Sequence, residues 1–511
     1  MYQMPATYNP YADARWVELR FSFGVVAPEG AALAEPSSSG QSPVSQIGQS
    51  HDEVREMTAK YASLEYNLFL LDGSFALYPE HLAGIQTGWQ SGELSGQDGV
   101  FASPPWLEFT FAEPQTSYGF TLIFDDKLVT DYPAEVKTTV YHASGQIIDS
   151  KTTTPAGYEH VVDLPSQDYS KVRFEFLKTN RPFRRVRLCE AVFGVIYAYH
   201  RGNIESATVQ LAASPWAENL PSGQVSAVVN NQDKLYNMVN PTGVYAYLQD
   251  GQYMDYEFRV GGLAVSMGRL YFTTAQSEDG GLTAEITFSD WLYALDDIQY
   301  NQGESGTWTL GEAVTAILAA AGSQHEAIYE AGLEQIVIRK CIPQKTSCRE
   351  ALRLSAQAAM ATCYVDRDNK LKFVRAAIGE KTDEWTRNVL YDEAQIKIGE
   401  LYNVVKLTVR DEYNEGAETV YTAKNVSEGD YERVFDVQNP LVQDGQTVAD
   451  WLLGWLQRRT NYDVTYRGNP ALDLLDTVQI DDVYKVNGLA VLTEQNMSFD
   501  GGLQVDAAAI K

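Results

Sequence analysis

Val225-Ser-Ala-Val-Val229, Tyr253-Met-Asp-Tyr-Glu-Phe-Arg-Val260, Met267-Gly-Arg-Leu-Tyr-Phe-Thr-Thr274 and Leu282-Thr-Ala-Glu-Ile-Thr-Phe-Ser-Asp290 lie within one stretch, Asn203 to Asp297. In the second segment Met254, Tyr256, Phe258 and Val260 alternate with Asp255, Glu257 and Arg259. That period of two is the mark of a strand with one buried face. Ala284, Ile286 and Phe288 repeat it. The stretch therefore reads as a small antiparallel β unit. Asn240-Pro-Thr-Gly243 is a turn that opens a short helical or looped excursion through Tyr245 and Tyr247. No residue pattern in the stretch is catalytic.

Outward toward the N-terminus, Trp16 to Val26 is a further strand, with Val17, Leu19, Phe21, Phe23 and Val25 on one face. Residues 1–14 form an ordered arm or a loose tail. Ala27 to Gln49 is rich in Pro, Gly, Ser and Ala, the composition of a flexible loop or linker. Between Trp89 and Tyr199 short alternating runs recur: Leu107, Phe109 and Phe111; Phe120, Leu122 and Phe124; Val136, Thr138 and Val140; Val172, Phe174 and Phe176. Short strands broken by turns at this spacing predict a β-sandwich.

Outward in the other direction the period changes. Thr309-Leu-Gly-Glu312 and Ser347-Cys-Arg-Glu350 are capping boxes, each opening a helix. With a hairpin turned at Asp368-Asn-Lys370 they predict a small α+β domain over about 304–400. After the strand Asn403–Val409, Thr447 caps a helix whose Val448, Trp451, Leu452, Trp455 and Leu456 share a face, with Arg458 and Arg459 in the last turn. The sequence closes on strand pairs joined at Asp500-Gly-Gly502.

At 511 residues the chain is long enough for about three to four domains. The formal net charge of −29 argues against a general nucleic-acid-binding surface, which would be basic. An acidic wall repels phosphate and lets it slide, so a duct for DNA stays open; solubility is the blander account of the same charge. No window holds the roughly twenty apolar residues of a membrane span, and the first residues lack the pattern of a signal peptide. Cys189, Cys341, Cys348 and Cys363 have no zinc-ligand spacing and read as buried free thiols. His51, His81, His142, His160, His200 and His325 form no metalloprotease motif, and there is no Gly-x-Ser-x-Gly and no phosphate loop. Asp125-Asp126, Asp296-Asp297 and Asp481-Asp482 read as solvated turns in a chain with 68 acidic residues. No catalytic, metal-binding or cofactor residue is therefore assigned. Trp89 and Trp106, in turn-rich segments of the sandwich, are the candidate glycan contacts, since aromatic rings stack on sugar faces; packing in the core is the alternative.

Two resemblances add to this reading. The strand ending Val-Val-Asn-Asn231, the Asn-Pro-Thr-Gly-Val-Tyr-Ala-Tyr-Leu248 segment, the Gly268-Arg-Leu-Tyr-Phe272 strand and the closing Leu492-Thr-Glu-Gln-Asn-Met-Ser-Phe-Asp-Gly-Gly-Leu503 together resemble the tail-hub (baseplate-hub-like) proteins of bacteriophages. Pro104-Pro-Trp-Leu-Glu-Phe-Thr-Phe111, Gly119-Phe-Thr-Leu-Ile-Phe124 and Arg185-Val-Arg-Leu-Cys-Glu-Ala-Val-Phe-Gly194 look like a discoidin-type jelly roll, the fold of many carbohydrate-binding modules. The resemblance implies a mainly β chain with α+β parts: two hub-type β-barrels, an inserted β-sandwich (jelly roll) and a small α+β domain. Its expected segments are an arm, the first hub strand at 15–26 and a linker in 1–60; the inserted sandwich in 61–200; the first barrel in 201–303; the α+β domain in 304–400; and the second barrel, with helix 447–459, in 401–511. It further implies a homotrimeric, pseudo-six-fold ring in the virion, at the phage tail tip, assembled in the host cytoplasm. The implied partners are tail-tube protein, distal tail and tail-tip or receptor-binding proteins, DNA passing without specific binding, and a host surface glycan through the sandwich. No enzymatic activity and no cofactor are expected. Hub proteins often carry an enzymatic C-terminal extension, and none is expected after the second barrel.

Overall fold

The computed structural model describes residues 2–511 apart from 28–29, 62, 64, 77–81, 127, 302–303, 412–415, 428–430 and 482–487. The chain is mainly β and divides into two units. One comprises Met1–Phe21, Tyr199–Lys234 and Met254–Lys511; the other comprises Ser22–Ala198 and Leu235–Tyr253.

The first unit is built on a long ladder of strands. In spatial order they are Tyr253–Val260, Leu263–Glu278, Thr283–Ser289, Gln224–Asn230, Ile204–Ala212, Gly488–Phe499, Leu503–Ile510, Thr460–Tyr466 and Gln395–Ile398. The alternation read from the sequence sets its faces. Val209, Val225, Ile286, Phe288, Met497 and Val505 are buried on one side, each burial contributing about 1.5–3 kcal/mol for the larger side chains. Ile204–Ala212 is the joint of the ladder: Ala207 pairs with Ala227 on one side and with Phe499 on the other.

Three helices and several small sheets complete this unit among the described residues. Thr309 caps Leu310–Ala320 by accepting from the Glu312 N–H, while the Glu312 carboxylate accepts from the Thr309 N–H at 2.8 Å. Ser347 caps Cys348–Ala358, but there the Glu350 carboxylate turns to the Arg353 guanidinium instead of closing the box. The N-terminal residues are an ordered arm. Tyr8 Oη donates to Asn469 at 2.8 Å, Tyr11 Oη donates to Asp383 at 2.5 Å, and Arg15 donates to the Gly468 carbonyl at 2.8 Å.

In residues 401–511, the last fifth of the chain, the described strands do not join one ladder. Val404–Asp411 pairs with Ala417–Lys424 and Val434–Gln438 in a separate three-stranded sheet. The helix Gly445–Leu456 covers that sheet, and Val405, Leu407, Val448 and Leu452 enter the same core as Leu310, Ile317 and Leu352. The apolar stripe of the helix is satisfied by this sheet, which takes those strands out of the ladder. The helix also starts earlier than read: Asp444, not Thr447, is its cap, accepting from the Thr447 N–H at 3.2 Å. Among the described residues no ladder closes on itself, so the two barrels take the form of one open sheet.

The second unit is the inserted β-sandwich. A five-stranded sheet runs Ala34–Ser38, Trp106–Ser117, Ser166–Thr179, Pro133–Tyr141, Ile147–Thr153. A four-stranded sheet runs Trp89–Gln90, Arg187–Val192, Phe120–Phe124, Glu159–Val162. Leu107, Phe109 and Phe174 from the first share a core with Phe120, Leu122 and Leu188 from the second. The rings of Phe120 and Phe174 meet edge to face with centroids 5.8 Å apart. The segment read as a linker is part of this fold: Ala34–Ser38 is its edge strand, paired with Trp106–Ser117. The excursion after Asn240 is a turn followed by a short 3-10 helix, Tyr245–Tyr247. Gly243 is required there, since a Cβ would lie 2.5 Å from the Leu235 carbonyl oxygen. Among the described residues no helix is long and apolar enough to cross a membrane.

Candidate functional surface

The outer face of the long ladder follows from its register. Thr465 stands opposite Asp506, Asp506 opposite Asn496, Asn496 opposite Gln210, Gln210 opposite Gln224, and Gln224 opposite Ser289. The adjacent row runs Gln504, Ser498, Thr208, Ser226, Thr287, Thr274. Neither row contains a lysine or an arginine. The first consists of hydroxyls, amides and one carboxylate and ends on the buried Ser289; the second consists of hydroxyls and one amide. Glu285, beside the second row, accepts a hydrogen bond from Ser226, and Thr465 Oγ1 donates to Asp506 at 2.6 Å. Toward the Gln395–Ile398 edge the face deepens into a cleft of about 360 Å³ whose walls include Asp392, Glu393, Asp463, Glu494 and Asp506. Lys397 is paired to Asp463, and Arg387 lies 3.8 Å from Glu393.

The sequence-named aromatics sit in the sandwich. Trp89 is fully buried and stacks on Phe176 with centroids 5.5 Å apart, so neither of its faces is open. Trp106 lies half-buried on the outer side of the five-stranded sheet, with the Arg173 guanidinium 4.4 Å from its ring centroid. Arg173 is held there by Glu108, its Nε donating to Oε2 at 2.7 Å. The structure does not bring the two tryptophans together.

The remaining candidates have structural partners. His325 stacks on Trp291 with centroids 4.4 Å apart, and burial holds its imidazole below the ordinary range. Asp125 accepts from the Leu128 and Val129 N–H groups, and Asp296 pairs with Arg349 at 2.6 Å. His81 and Asp482 lie outside the described residues. All four cysteines are buried thiols. Among the described residues no group of three or more His, Cys, Asp or Glu is placed to hold a metal ion.

Buried ionisable groups in the sandwich were not singled out from sequence. Glu65 is enclosed with Arg187, its Oε1 accepting from Arg187 Nη1 at 3.2 Å and from the Arg185 N–H at 2.6 Å. Burial pushes the Glu65 carboxyl up, but Arg187, Ser63 and the Arg185 N–H outweigh it and hold the carboxyl below its ordinary range. For Glu190 burial outweighs the Glu53 N–H and Arg55 and pushes the carboxyl up to about 8. The available signal was a lone acid inside the apolar run Val186 to Gly194.

No family model matches the chain, and no curated protein matches it. Among solved structures the chain is similar to a tail protein from Neisseria meningitidis, at 13% identity and a TM-score of 0.45, covering 62% of this chain and 94% of that one. It is also similar to a prophage tail protein from Shewanella oneidensis, at 14% identity and a TM-score of 0.45, over 62% of this chain and 96% of that one. A third of the chain is similar to a chitosan-binding module from a Paenibacillus chitosanase/glucanase, at 13% identity and a TM-score of 0.21, covering 34% of this chain and 98% of the module.

Proposed function

We propose that this chain is a structural tail-hub subunit of a phage or phage-like particle. Three copies form a ring, and the two halves of each long ladder give that ring a pseudo-six-fold inner wall suited to a hexameric tail tube. The observation that carries the reading is the pair of rows without lysine or arginine on the ladder, from Thr465 and Asp506 through Gln210 to the exposed Gln224. A wall of hydroxyls, amides and carboxylates holds water and offers phosphate no site to bind, so DNA slides along it without retention. The motif order between Asn203 and Leu503 supports the same assignment. The role is geometric: symmetry adaptation, sealing and release, with no bond made or broken.

The mass of the purified chain, measured by light scattering across a concentration series, tests it. A trimer, alone or on mixing with tail-tube protein, is expected. A monomer that never joins tube protein would overturn the ring and leave glycan binding through Trp106 as the reading to pursue.

A further inference from the structure

The sandwich unit encloses an acid whose charged form burial disfavours, with Arg55 as the cation acting on it. Glu190, in the Arg187–Val192 strand, is 3% exposed, and its Oε2 has no hydrogen-bond partner. Leaving such a group buried is costly, so the position asks for a donor. Glu190 lines a small cavity whose apolar wall includes Ala27, Ala31, Val192 and Phe193. Glu53, Arg55, Val26, Ala191 and Tyr253 complete the lining, and the Glu53 N–H already donates to the Glu190 carboxyl, leaving Oε2 as the open position. The charged groups acting on Glu190 are Asp52 and Glu53, which repel its anion, and Arg55, which favours it. The local balance is therefore negative. The cavity measures about 30 Å³. A water-sized group needs about 10–15 Å³ in this measure, so the space takes one or two such groups. A planar guanidinium or a pyranose ring is too wide for it, whereas an ammonium on a linear stem matches both its width and its apolar wall.

We propose that this cavity is a socket for the tip of an exposed lysine of a partner protein, the ammonium on the Glu190 carboxylate and the last methylene against the apolar wall, with the rest of the stem outside. Binding near neutral pH releases the Glu190 proton to solvent, while the lysine keeps its own. Arg55 competes with the incoming cation. The socket goes beyond the hub reading and does not depend on it, because it needs only the folded sandwich unit.

The test is calorimetric titration of the full chain with N-acetyl-lysine methylamide and, separately, with glucosamine, from pH 6 to pH 9. The lysine derivative is expected to bind, about tenfold tighter for each unit of pH up to about 8 and level above it, because the carboxylate must form. Glu190→Gln keeps the shape and should abolish binding. Arg55→Ala should tighten it several-fold, a gain that a merely structural role for either residue would not produce. No heat with the wild-type chain, equal binding by Glu190→Gln, or preference for glucosamine would each overturn the socket.

Discussion

In the long ladder the acids Glu494 and Asp506 stand on the open face while Met497, Val505 and Phe288 fill the other; in the sandwich, Glu65, Arg187 and Glu190 are all buried. Both regions are antiparallel β-structure with the same strand period. In the ladder, alternation alone sends charge to water, and the acids need no partner. In the sandwich, sheet packs on sheet and loops close over the strand ends, so a charge can be enclosed on both sides. Its state then depends on what the rest of the fold brings to it. The dependence of stability on pH should therefore reside in enclosed carboxyls such as Glu65 and Glu190 of the sandwich, and Asp290 at the end of a ladder strand, rather than in the exposed acids of the ladder.

The largest expected break of that contrast is Glu65→Ala. It leaves Arg187 buried without its partner and should cost about 3–5 kcal/mol. Thermal unfolding followed by the fluorescence of the enclosed Trp89 reads it; a loss under about 1 kcal/mol would mean that the pair is open to water. The wild-type pair should also weaken in acid, because a carboxyl held low in the fold loses its contribution as pH falls through its folded value.

Glu190→Gln sharpens the contrast in the opposite sense. A carboxyl raised to about 8 is neutral in the fold and ionised in the unfolded chain between its ordinary value and 8. Wild-type stability should therefore fall by about 1.4 kcal/mol for each unit of pH across that window, and the slope should flatten above it. The glutamine variant should remove that part of the slope. A denaturant series at several pH values measures it, and equal slopes in the two proteins would refute the burial argument. The smallest effect on folding belongs to the ladder. Ser498→Lys, on its exposed face, should change stability by no more than about 0.5 kcal/mol. Combined with Gln210→Lys and Ser226→Lys it should give salt-dependent retention of DNA where the wild type shows none, read by gel mobility.

What was legible in the sequence was what depends on near neighbours. The Thr309 box and the alternation in Tyr253–Val260 needed only residues a few positions apart, and both appear as read. Ala34–Ser38 was missed because Ala-Glu-Pro-Ser-Ser has the composition of a linker; a proline is tolerated there because the strand lies at a sheet edge. The helix Gly445–Leu456 was visible, but its docking on Val404–Asp411 was not, since a stripe of apolar residues does not name the surface it covers. The outer face was half visible. Polar alternation marked each strand separately, and only the pairing of Ile204–Ala212 with Gly488–Phe499 aligned Gln210 with Asn496. Glu190 stayed hidden because the cavity beside it is formed by segments far apart in the chain.

That same pairing has a cost in time. Gln210 and Asn496 are roughly 290 residues apart, and a ribosome adding about 5–20 residues per second needs about 15–60 s to cover that distance. Throughout that interval the edge of Ile204–Ala212 that faces Gly488–Phe499 has no strand to pair with, and it is a template for pairing with other nascent chains. Productive synthesis of this protein should therefore depend on a chaperone that shields the half-built sheet until its last strands emerge.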